Sequence, residues 1–205
     1  MSKLKNNYSL KMDNKDQAFK NLINNQKPTL FLDRDGVINK RKIDQYVLKE
    51  NDFHWIEGVK ESIRIFSSIF SPIIVVTNQQ GIGKGLMTED DLRKIHTQMI
   101  LDIKESGGKI DKIYHCPDLK ETNSFFRKPQ PGMGLKAKKD FPSIRFKKSV
   151  MVGDTLSDMQ FGKKLNMITV LISQNVALAR QAPHLVDYRF DLLRHFANFA
   201  DGMKE

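Results

Sequence analysis

The sequence predicts an α/β fold with a doubly wound parallel sheet. Runs of apolar, often β-branched residues alternate along the chain with segments of helical spacing, which is the pattern of strands joined by helical crossovers. Such crossovers make the strands parallel and place helices on both faces of the sheet. Three of the apolar runs also end in small polar or acidic residues, and ligands of open α/β sheets bind at the carboxyl ends of the strands.

The chain divides into a polar N-terminal segment and one domain. Residues 1–27 are rich in Lys, Asn and Gln and show only a weak helical pattern between Ala18 and Ile23. We therefore expect an N-terminal arm that packs loosely or is disordered. Residues 28–205 are expected to form a single domain, without a large cap inserted between the strands.

Each element of this domain follows from its local pattern. Apolar runs predict strands at 30–32, 73–76, 110–114, 149–152 and 167–172. Helical spacing and capping residues predict helices at 58–70, 88–106, 133–141, 156–165 and 190–199. Residues 40–57 mix charges with aromatic and aliphatic side chains, and this mixture predicts a short hairpin or flap over the strand ends.

Composition narrows the classes of function. The net charge of +10 suggests an anionic partner, namely a phosphorylated metabolite, nucleic acid or a membrane surface, although the lysines are scattered along the chain. A single cysteine excludes a disulfide framework and a Cys-rich zinc site. No apolar run approaches the roughly 20 residues that cross a bilayer, and no signal-peptide core is present. We expect a cytoplasmic, monomeric protein.

The first strand leads into two carboxylates, Asp33 and Asp35, followed by Gly36. Alternation along an extended chain points both carboxylates the same way, and such a pair repels unless a cation lies between them. Oxygen ligands suit Mg²⁺, which would keep Asp33 ionised as a nucleophile while Asp35 exchanges a proton with the leaving oxygen. Alone, the tetrapeptide is equally compatible with a simple turn. Three further polar residues at strand ends could meet the pair: Thr77, Asn78 and Asp154.

Four motifs in chain order make the sequence resemble the haloacid dehalogenase-like phosphatases. They are Asp33-x-Asp35-Gly36-Val37, Thr77-Asn78, Lys128-Pro129 and Gly153-Asp154-x-x-x-Asp158. The resemblance covers about residues 28–175 and is closest to the heptose-bisphosphate and histidinol-phosphate phosphatases, through the stretches FLDRDGVIN, VTNQxGIxxG, IYxCP, RKPxPGM and MVGD. It implies a Rossmann-like sheet.

The resemblance also implies roles for the site residues. Asp33 would attack phosphorus and form an aspartyl-phosphate, while Asp35 would protonate the leaving oxygen and later activate water. Mg²⁺ would be held by Asp33, the main-chain carbonyl of Asp35 and Asp154, with Asp158 in support. Thr77 and Lys128 would contact the phosphoryl oxygens. The remaining residues carried over would contact substrate: Asn78, Gln79, Gln80 and Arg127.

One motif of this branch is not retained. Members of the branch usually carry a zinc loop, but the corresponding positions here are Cys116, Asp118, Ser124 and Phe126. One thiolate and one carboxylate cannot build a tetrahedral Cys-rich zinc site, so we predict no zinc. The loop is then expected to be ordered by packing of Phe125 or Phe126, or by substrate.

The sequence therefore predicts a Mg²⁺-dependent phosphomonoesterase for a small phosphorylated metabolite. D-glycero-D-manno-heptose 1,7-bisphosphate, losing its 7-phosphate, is the leading substrate, and histidinol phosphate or another small metabolite is an alternative. A nucleic acid 3′-phosphate is disfavoured because no basic stripe interleaved with aromatic residues is present. A non-catalytic binding protein on the same scaffold is the remaining alternative, against which the intact set of acids and Lys128 argues.

Overall fold

The computed structural model describes residues 13–42 and 45–205. Six strands form one sheet. They are β1 (Thr29–Leu32), β2 (Ile73–Asn78), β3 (Lys112–Cys116), β4 (Ser149–Gly153), β5 (Ile168–Ile172) and β6 (Tyr188–Phe190). Every neighbouring pair is parallel, and the order across the sheet is β3-β2-β1-β4-β5-β6. The predicted parallel α/β class is confirmed.

The described residues also contain eight α-helices. They are α1 (Asn14–Asn25), α2 (Val59–Ile69), α3 (Gln80–Gly83), α4 (Glu89–Glu105), α5 (Gly132–Asp140), α6 (Leu156–Lys164), α7 (Val176–Gln181) and α8 (Leu193–Gly202). Short 3₁₀ turns occur at Glu50–Asp52, Lys120–Thr122, Phe146–Lys148 and Pro183–Leu185. No helix in the described part of the chain is both long and apolar enough to cross a membrane.

The sheet buries both of its faces, as its continuous apolar strands predict. Along β1, Leu30 and Leu32 point into a core cluster shared with α1, α2, α4 and α8, whereas Phe31 points into a second cluster with α5 and α6. Side chains alternate across a strand, so a run that is apolar at every position needs helices on both faces. The strand order also reverses direction at β1, which lies between β2 and β4. This reversal is the topological switch point where α/β proteins place their sites.

The N-terminal segment differs from its expectation. Residues Asn14–Asn25 form α1, capped by Asp13, whose Oδ1 accepts a hydrogen bond from the Asp16 amide at 2.7 Å. Phe19 is 1% exposed, and its ring centroid lies 5.6 Å from that of Tyr188. The expectation of loose packing or disorder is therefore wrong for α1. Residues 1–12 lie outside the described part of the chain. The domain boundary at residue 27 stays a prediction.

The other differences are local. β3 begins at residue 112, and Asp111 instead ties the start of β2: its side chain accepts from the Ile73 amide and its own amide donates to the Ile73 carbonyl. Three elements that the sequence did not predict, α3, α7 and β6, have only four, six and three residues, too short for a clear periodicity. The last helix was predicted from residue 190, but Phe190 ends β6 and α8 begins at Leu193. In the described residues 40–42 and 45–57 no strand forms, and an isolated antiparallel bridge joins Trp55 to Asn39, so the predicted short hairpin is not found there.

Candidate active site

Asp33 lies immediately beyond β1, where the extended chain continues one residue past the strand. Its amide donates to the Val152 carbonyl on β4 at 2.9 Å, which fixes the residue at the carboxyl edge of the sheet. The chain then turns through Gly36, whose φ of +94° lies in the left-handed region. A Cβ on Gly36 would stand 1.9 Å from Oδ2 of Asp154. The glycine therefore permits the turn and also allows the carboxylate of Asp154 to approach the loop.

Lys128 joins two buried carboxylates beneath the site. Its Nζ lies 2.8 Å from Oδ1 of Asp33 and 2.6 Å from Oδ1 of Asp158, and it donates to the Val76 carbonyl at 2.8 Å. The three charged residues are between 0% and 5% exposed. Because a buried charge without a partner is costly, this geometry holds each of them in place.

The electrostatics of this cluster follow from burial and proximity. Burial, with repulsion from Asp158, raises the pKa of Asp33 to about 7 against the opposing pull of Lys128. Burial alone would lower the pKa of Lys128, but the attraction of Asp158 and Asp33 outweighs it and raises that pKa. Lys128 thus remains a fixed cation beside the oxygen of Asp33.

Asn78 holds the backbone of Lys128. Its Nδ2 donates to the Lys128 carbonyl at 3.1 Å, and its Oδ1 accepts from the Lys128 amide at 3.0 Å. This pair of hydrogen bonds connects the end of β2 to the loop before α5. Asn78 lines the cavity described below and is therefore also placed to meet a ligand.

Asp35 is surrounded by hydrogen-bond donors. Nη2 of the fully buried Arg34 donates to both of its carboxylate oxygens at 3.0 Å, Asn39 Nδ2 donates at 2.9 Å, and Gln79 Nε2 at 2.8 Å. Although burial opposes them, these donors hold the pKa of Asp35 below its ordinary value. Gln79 also donates to Oγ1 of Thr77 at 2.7 Å, so it links Asp35 to the hydroxyl of Thr77 near the end of β2.

Asp158 has both a structural and a site role. Its Oδ2 accepts from the Thr155 amide at 3.0 Å and from the Thr155 hydroxyl at 2.5 Å, forming a capping box at the start of α6. Its other oxygen faces Lys128. The motif is a helix cap and, at the same time, part of the buried charge cluster.

One group of acidic side chains can hold a metal ion. In the described residues, ligand atoms of Asp33, Asp154 and Asp158 lie within 4.8 Å of one another. The guanidinium of Arg41 reaches the same place: Nε donates to Asp154 Oδ2 at 3.0 Å, and Nη2 donates to Asp154 Oδ1 and to the Asp35 carbonyl, both at 2.8 Å. All these acceptors are oxygen atoms gathered around a cation, which is the donor set that Mg²⁺ prefers.

A cavity of about 200 Å³ lies in front of these groups. At its wall, Gln80 Nε2 donates to the Tyr46 hydroxyl at 2.8 Å, and Arg127 donates to the Asp118 carbonyl at 2.9 Å. Nine of the ten site residues predicted from the sequence line the cavity: Asp33, Asp35, Thr77, Asn78, Gln79, Gln80, Arg127, Lys128 and Asp158. The tenth, Asp154, joins through the metal-binding group.

Three residues of the site were missed in the sequence. Arg34 and Asn39 orient Asp35, and Arg41 contacts the acidic group. Their positions within FLDRDGVINKR were the available signal, because Arg34 stands between the two acids and Asn39 and Arg41 follow within six residues of Asp35.

The loop that replaces the zinc site is held by hydrogen bonds. The Gly132 amide donates to the Phe125 carbonyl at 3.0 Å, and the Phe126 amide donates to Ser124 Oγ at 3.2 Å. The rings of Phe125 and Phe126 are 53% and 46% exposed and contact each other edge to face. The first of the two expectations, ordering by packing of these rings, is therefore wrong, and ordering by substrate stays a prediction.

Known proteins are similar to this chain in sequence and fold. The family model "Hydrolase_like", which describes HAD-like hydrolases, matches residues 125–195. The D-glycero-alpha-D-manno-heptose-1,7-bisphosphate 7-phosphatase of Campylobacter jejuni is 43% identical, over 70% of this chain and 80% of its own length. The D-glycero-beta-D-manno-heptose-1,7-bisphosphate 7-phosphatase of Vibrio cholerae is 35% identical, over 87% and 99%.

A solved structure of a heptose 1,7-bisphosphate phosphatase has a similar fold. The D,D-heptose 1,7-bisphosphate phosphatase of B. bronchiseptica, complexed with magnesium and phosphate, superposes with a TM-score of 0.76 at 25% identity, over 83% of this chain and 96% of that one. The parallel sheet and the acid pair beyond β1 define a phosphoryl-transfer hydrolase, and the chain belongs to the haloacid dehalogenase-like phosphatases. Within that family its relatives are the heptose 1,7-bisphosphate phosphatases, the branch indicated by the sequence motifs.

Proposed function

We propose that this protein is a Mg²⁺-dependent phosphomonoesterase that removes the 7-phosphate of D-glycero-D-manno-heptose 1,7-bisphosphate through an aspartyl-phosphate intermediate. The observation that carries the proposal is the position of Asp33. Its carboxylate lines the cavity, contacts Lys128 and belongs to the group of carboxylates that can hold a metal ion. Its metal would be held by Asp33, the main-chain carbonyl of Asp35 and Asp154. When bound, Mg²⁺ would supply positive charge for the phosphoryl oxygens.

In the first half of the reaction, Asp33 is the nucleophile. A carboxylate oxygen of Asp33 forms a bond to phosphorus while the bond from phosphorus to the sugar oxygen breaks in line with it. Lys128 and the Thr77 hydroxyl meet the charge on the phosphoryl oxygens, and Asp35 gives its proton to the leaving alkoxide. An arriving phosphate monoester is an anion, and its charge favours the protonated form of Asp35 that this step needs.

In the second half, water replaces the sugar. Asp35 takes a proton from the water as it attacks phosphorus, and the bond between phosphorus and Asp33 breaks, which regenerates the carboxylate and releases phosphate. The donors around Asp35, Arg34 above all, favour its ionised form and so suit this role as a base.

Charge in the cavity supports a substrate that carries two phosphates. Besides the buried Lys128, the lining includes Arg41, Lys42 and Arg127. Arg41 and Lys42 lie in ion pairs with Asp154 and Asp52, whereas Arg127 donates to the Asp118 carbonyl and keeps its charge for an anion that is not being transferred. The sugar itself comes from the relatives, whose names include both anomers of the heptose bisphosphate.

The test is phosphate release by the purified full chain with Mg²⁺ from a panel of substrates. The panel contains both heptose anomers, histidinol phosphate, simple sugar phosphates and an oligonucleotide with a 3′-phosphate. We expect one heptose anomer to give kcat/KM of about 10⁴ M⁻¹s⁻¹ or more. If another compound of the panel is hydrolysed most efficiently, the heptose assignment is wrong and that compound is the substrate. If no compound releases phosphate, the enzymatic proposal is overturned.

Two variants separate chemistry from folding. Asp33→Asn should lower kcat at least about 10³-fold because the nucleophile is gone, while its circular dichroism spectrum stays that of the wild type. Asp201→Asn, the same change at an exposed position on α8, is the matched control and should retain full activity. Equal activity of Asp33→Asn and wild type would contradict the aspartyl-phosphate mechanism.

A further inference from the structure

Arg41 occupies a position that the proposed reaction assigns to another cation. Its Nη2 stands 2.8 Å from Asp154 Oδ1, 2.8 Å from the Asp35 carbonyl oxygen and 3.7 Å from Asp33 Oδ2. Its Nε completes a two-pronged contact with the Asp154 carboxylate. One guanidinium thus reaches all three of the groups that would hold Mg²⁺.

The guanidinium and a metal ion would compete for these oxygens. The Arg41 nitrogens lie at hydrogen-bond distance from Asp154 and from the Asp35 carbonyl, and Mg²⁺ would approach the same oxygens to about 2.1 Å. Two positive centres this close also repel in a partly buried site. We therefore expect binding of the metal to displace Arg41.

The loop around Arg41 allows such a movement. The chain is anchored on both sides of the residue, by the Lys40 amide, which donates to the His54 carbonyl at 2.8 Å, and by Lys42, whose Nζ lies 2.6 Å from Asp52 Oδ1. The Arg41 side chain itself is 45% exposed. It can swing into solvent or toward the cavity without disturbing a packed core.

We propose that Arg41 is a displaceable cation that neutralises the Mg²⁺ ligands in the metal-free protein and competes with the metal for them. This inference rests on the proposed Mg²⁺ site and adds to it a residue that sets the affinity of that site. The contacts of Arg41 stabilise only the metal-free state, and breaking them makes the free energy of metal binding less favourable. An Arg41 variant has no such contacts to break. It should therefore bind the metal more tightly.

The first experiment measures Mg²⁺ binding by isothermal titration calorimetry on the metal-free full chain, without substrate. We expect Arg41→Ala to bind Mg²⁺ on the order of tenfold more tightly than wild type, within the usual range of coupling between sites. Lys40→Ala removes the same charge next to Arg41, from a side chain that is exposed, and is the matched control. It should change the affinity by less than about threefold, because it alters only the screened local field.

The pattern of outcomes distinguishes the inference from the proposed function. If all three proteins bind Mg²⁺ with the same affinity, the metal site stands and the competition by Arg41 is wrong. An Arg41→Ala variant that binds more weakly overturns it as well, since Arg41 would then support the metal. If none of the proteins binds Mg²⁺, both the metal-dependent function and the competition are refuted.

A second measurement follows the guanidinium directly. In the metal-free protein the Nε–H of Arg41 donates to Asp154, so its ¹H–¹⁵N resonance should be visible and protected from exchange with water. The resonance is assigned by its loss in Arg41→Ala. Saturating Mg²⁺ should shift or broaden it, and a resonance that remains unchanged and protected in the Mg²⁺-bound protein would overturn the proposal.

Discussion

A fully buried arginine supports Asp35, the proposed general acid and base. Arg34 has no exposed surface, and its Nη2 connects Asp35 with Gln79 Oε1 at 3.1 Å. Its Nη1 lies 3.1 Å from Nε2 of His96, on the side away from the cavity. A positive charge this deep needs acceptors, and the imidazole must be neutral to accept the hydrogen bond from Nη1.

His96 makes stability depend on pH in a defined direction. Burial, followed by repulsion from Arg34, lowers the pKa of His96 from 6.5 to about 3 in the folded protein. The unfolded chain therefore takes up a proton below about pH 6.5 that the folded protein does not, and stability present above that pH is lost as the pH falls. Between about pH 7 and pH 5 this group should cost about 2 kcal/mol of the free energy of unfolding.

Urea unfolding at the two pH values measures this effect. His96→Gln, which retains an acceptor for Arg34, should lose that part of the pH dependence. His195→Gln, a change at an exposed histidine on α8, is the control and should keep it. The explanation fails if wild type and His96→Gln lose the same stability between the two pH values.

Gly36 allows both the turn of the backbone and the position of Asp154, a proposed metal ligand. Gly36→Ala adds strain at a φ of +94° and places a Cβ 1.9 Å from Asp154 Oδ2, so Asp154 must move. We expect a loss of about 1–3 kcal/mol in stability and weaker binding of Mg²⁺ by at least about tenfold. Gly85→Ala shares the positive φ, +67°, but its Cβ would meet nothing within 4 Å, so it tests the strain alone. Equal effects of the two variants on Mg²⁺ binding would contradict the steric argument.

Among the elements, α1 shows how a short amphipathic helix escapes detection in a sequence. Only Phe19 and Ile23 are buried on it, and apart from Ala18 and Leu22 its other residues are polar, so the pattern looked like that of a loose arm. What holds the helix is tertiary packing, because the Phe19 ring lies 5.6 Å from Tyr188 and 5.5 Å from Phe199.

Truncation of that ring tests whether α1 contributes to global stability. Phe19→Ala should lower the free energy of unfolding by about 3 kcal/mol, because it opens a cavity among aromatic side chains. Gln17→Ala, on the exposed side of the same helix, should change it by less than about 0.5 kcal/mol. Denaturant unfolding followed by circular dichroism measures both. A Phe19→Ala protein as stable as wild type would restore the view of α1 as a loose arm.

The elements also show which parts of the fold a sequence can specify. β2 and β4 are buried on both faces, so continuous runs of apolar residues marked them clearly. The capping box of α4, in which Thr88 and Asp91 bond to each other's amides, was readable because its residues are local. β6 was missed, since its three half-buried residues gain their place from pairing with β5 rather than from a pattern of their own.

The site shows the same distinction. Asp33, Lys128 and Asp158 were predicted because each belongs to a motif of fixed spacing, and the structure brings them into one buried cluster. The contact of Arg41 with Asp154 was not predictable, because it spans 113 residues and depends on the course of an aperiodic loop. Direct contact of Asn78 and Gln79 with substrate stays a prediction.

At the scale of the whole molecule, the changed residues of the zinc loop predict that the protein binds no zinc. Cys116 is buried, its Sγ lies 3.5 Å from Asp118 Oδ2 and 3.9 Å from Ser124 Oγ, and burial raises the pKa of the thiol. A protonated thiol with hydroxyl and carboxylate neighbours is a poor zinc site. Elemental analysis of the purified protein should find no stoichiometric zinc, and Cys116→Ser should leave the metal content unchanged. One zinc per chain that survives dialysis in wild type but not in Cys116→Ser would refute this.

The order of the strands means that the parts of the proposed site are synthesised at different times. Asp33 follows β1 in the middle of the sheet, Lys128 is tied to β2 on one side, and Asp154 follows β4 on the other. A ribosome that has released only the first 148 residues has therefore produced β1 to β3 but none of β4. A nascent chain at that stage lacks Asp154 and Asp158, two of the three acids in the metal-binding group, and Asp158 is also the second carboxylate partner of Lys128. Recovery of phosphate release after dilution from denaturant therefore requires β4 to dock against β1.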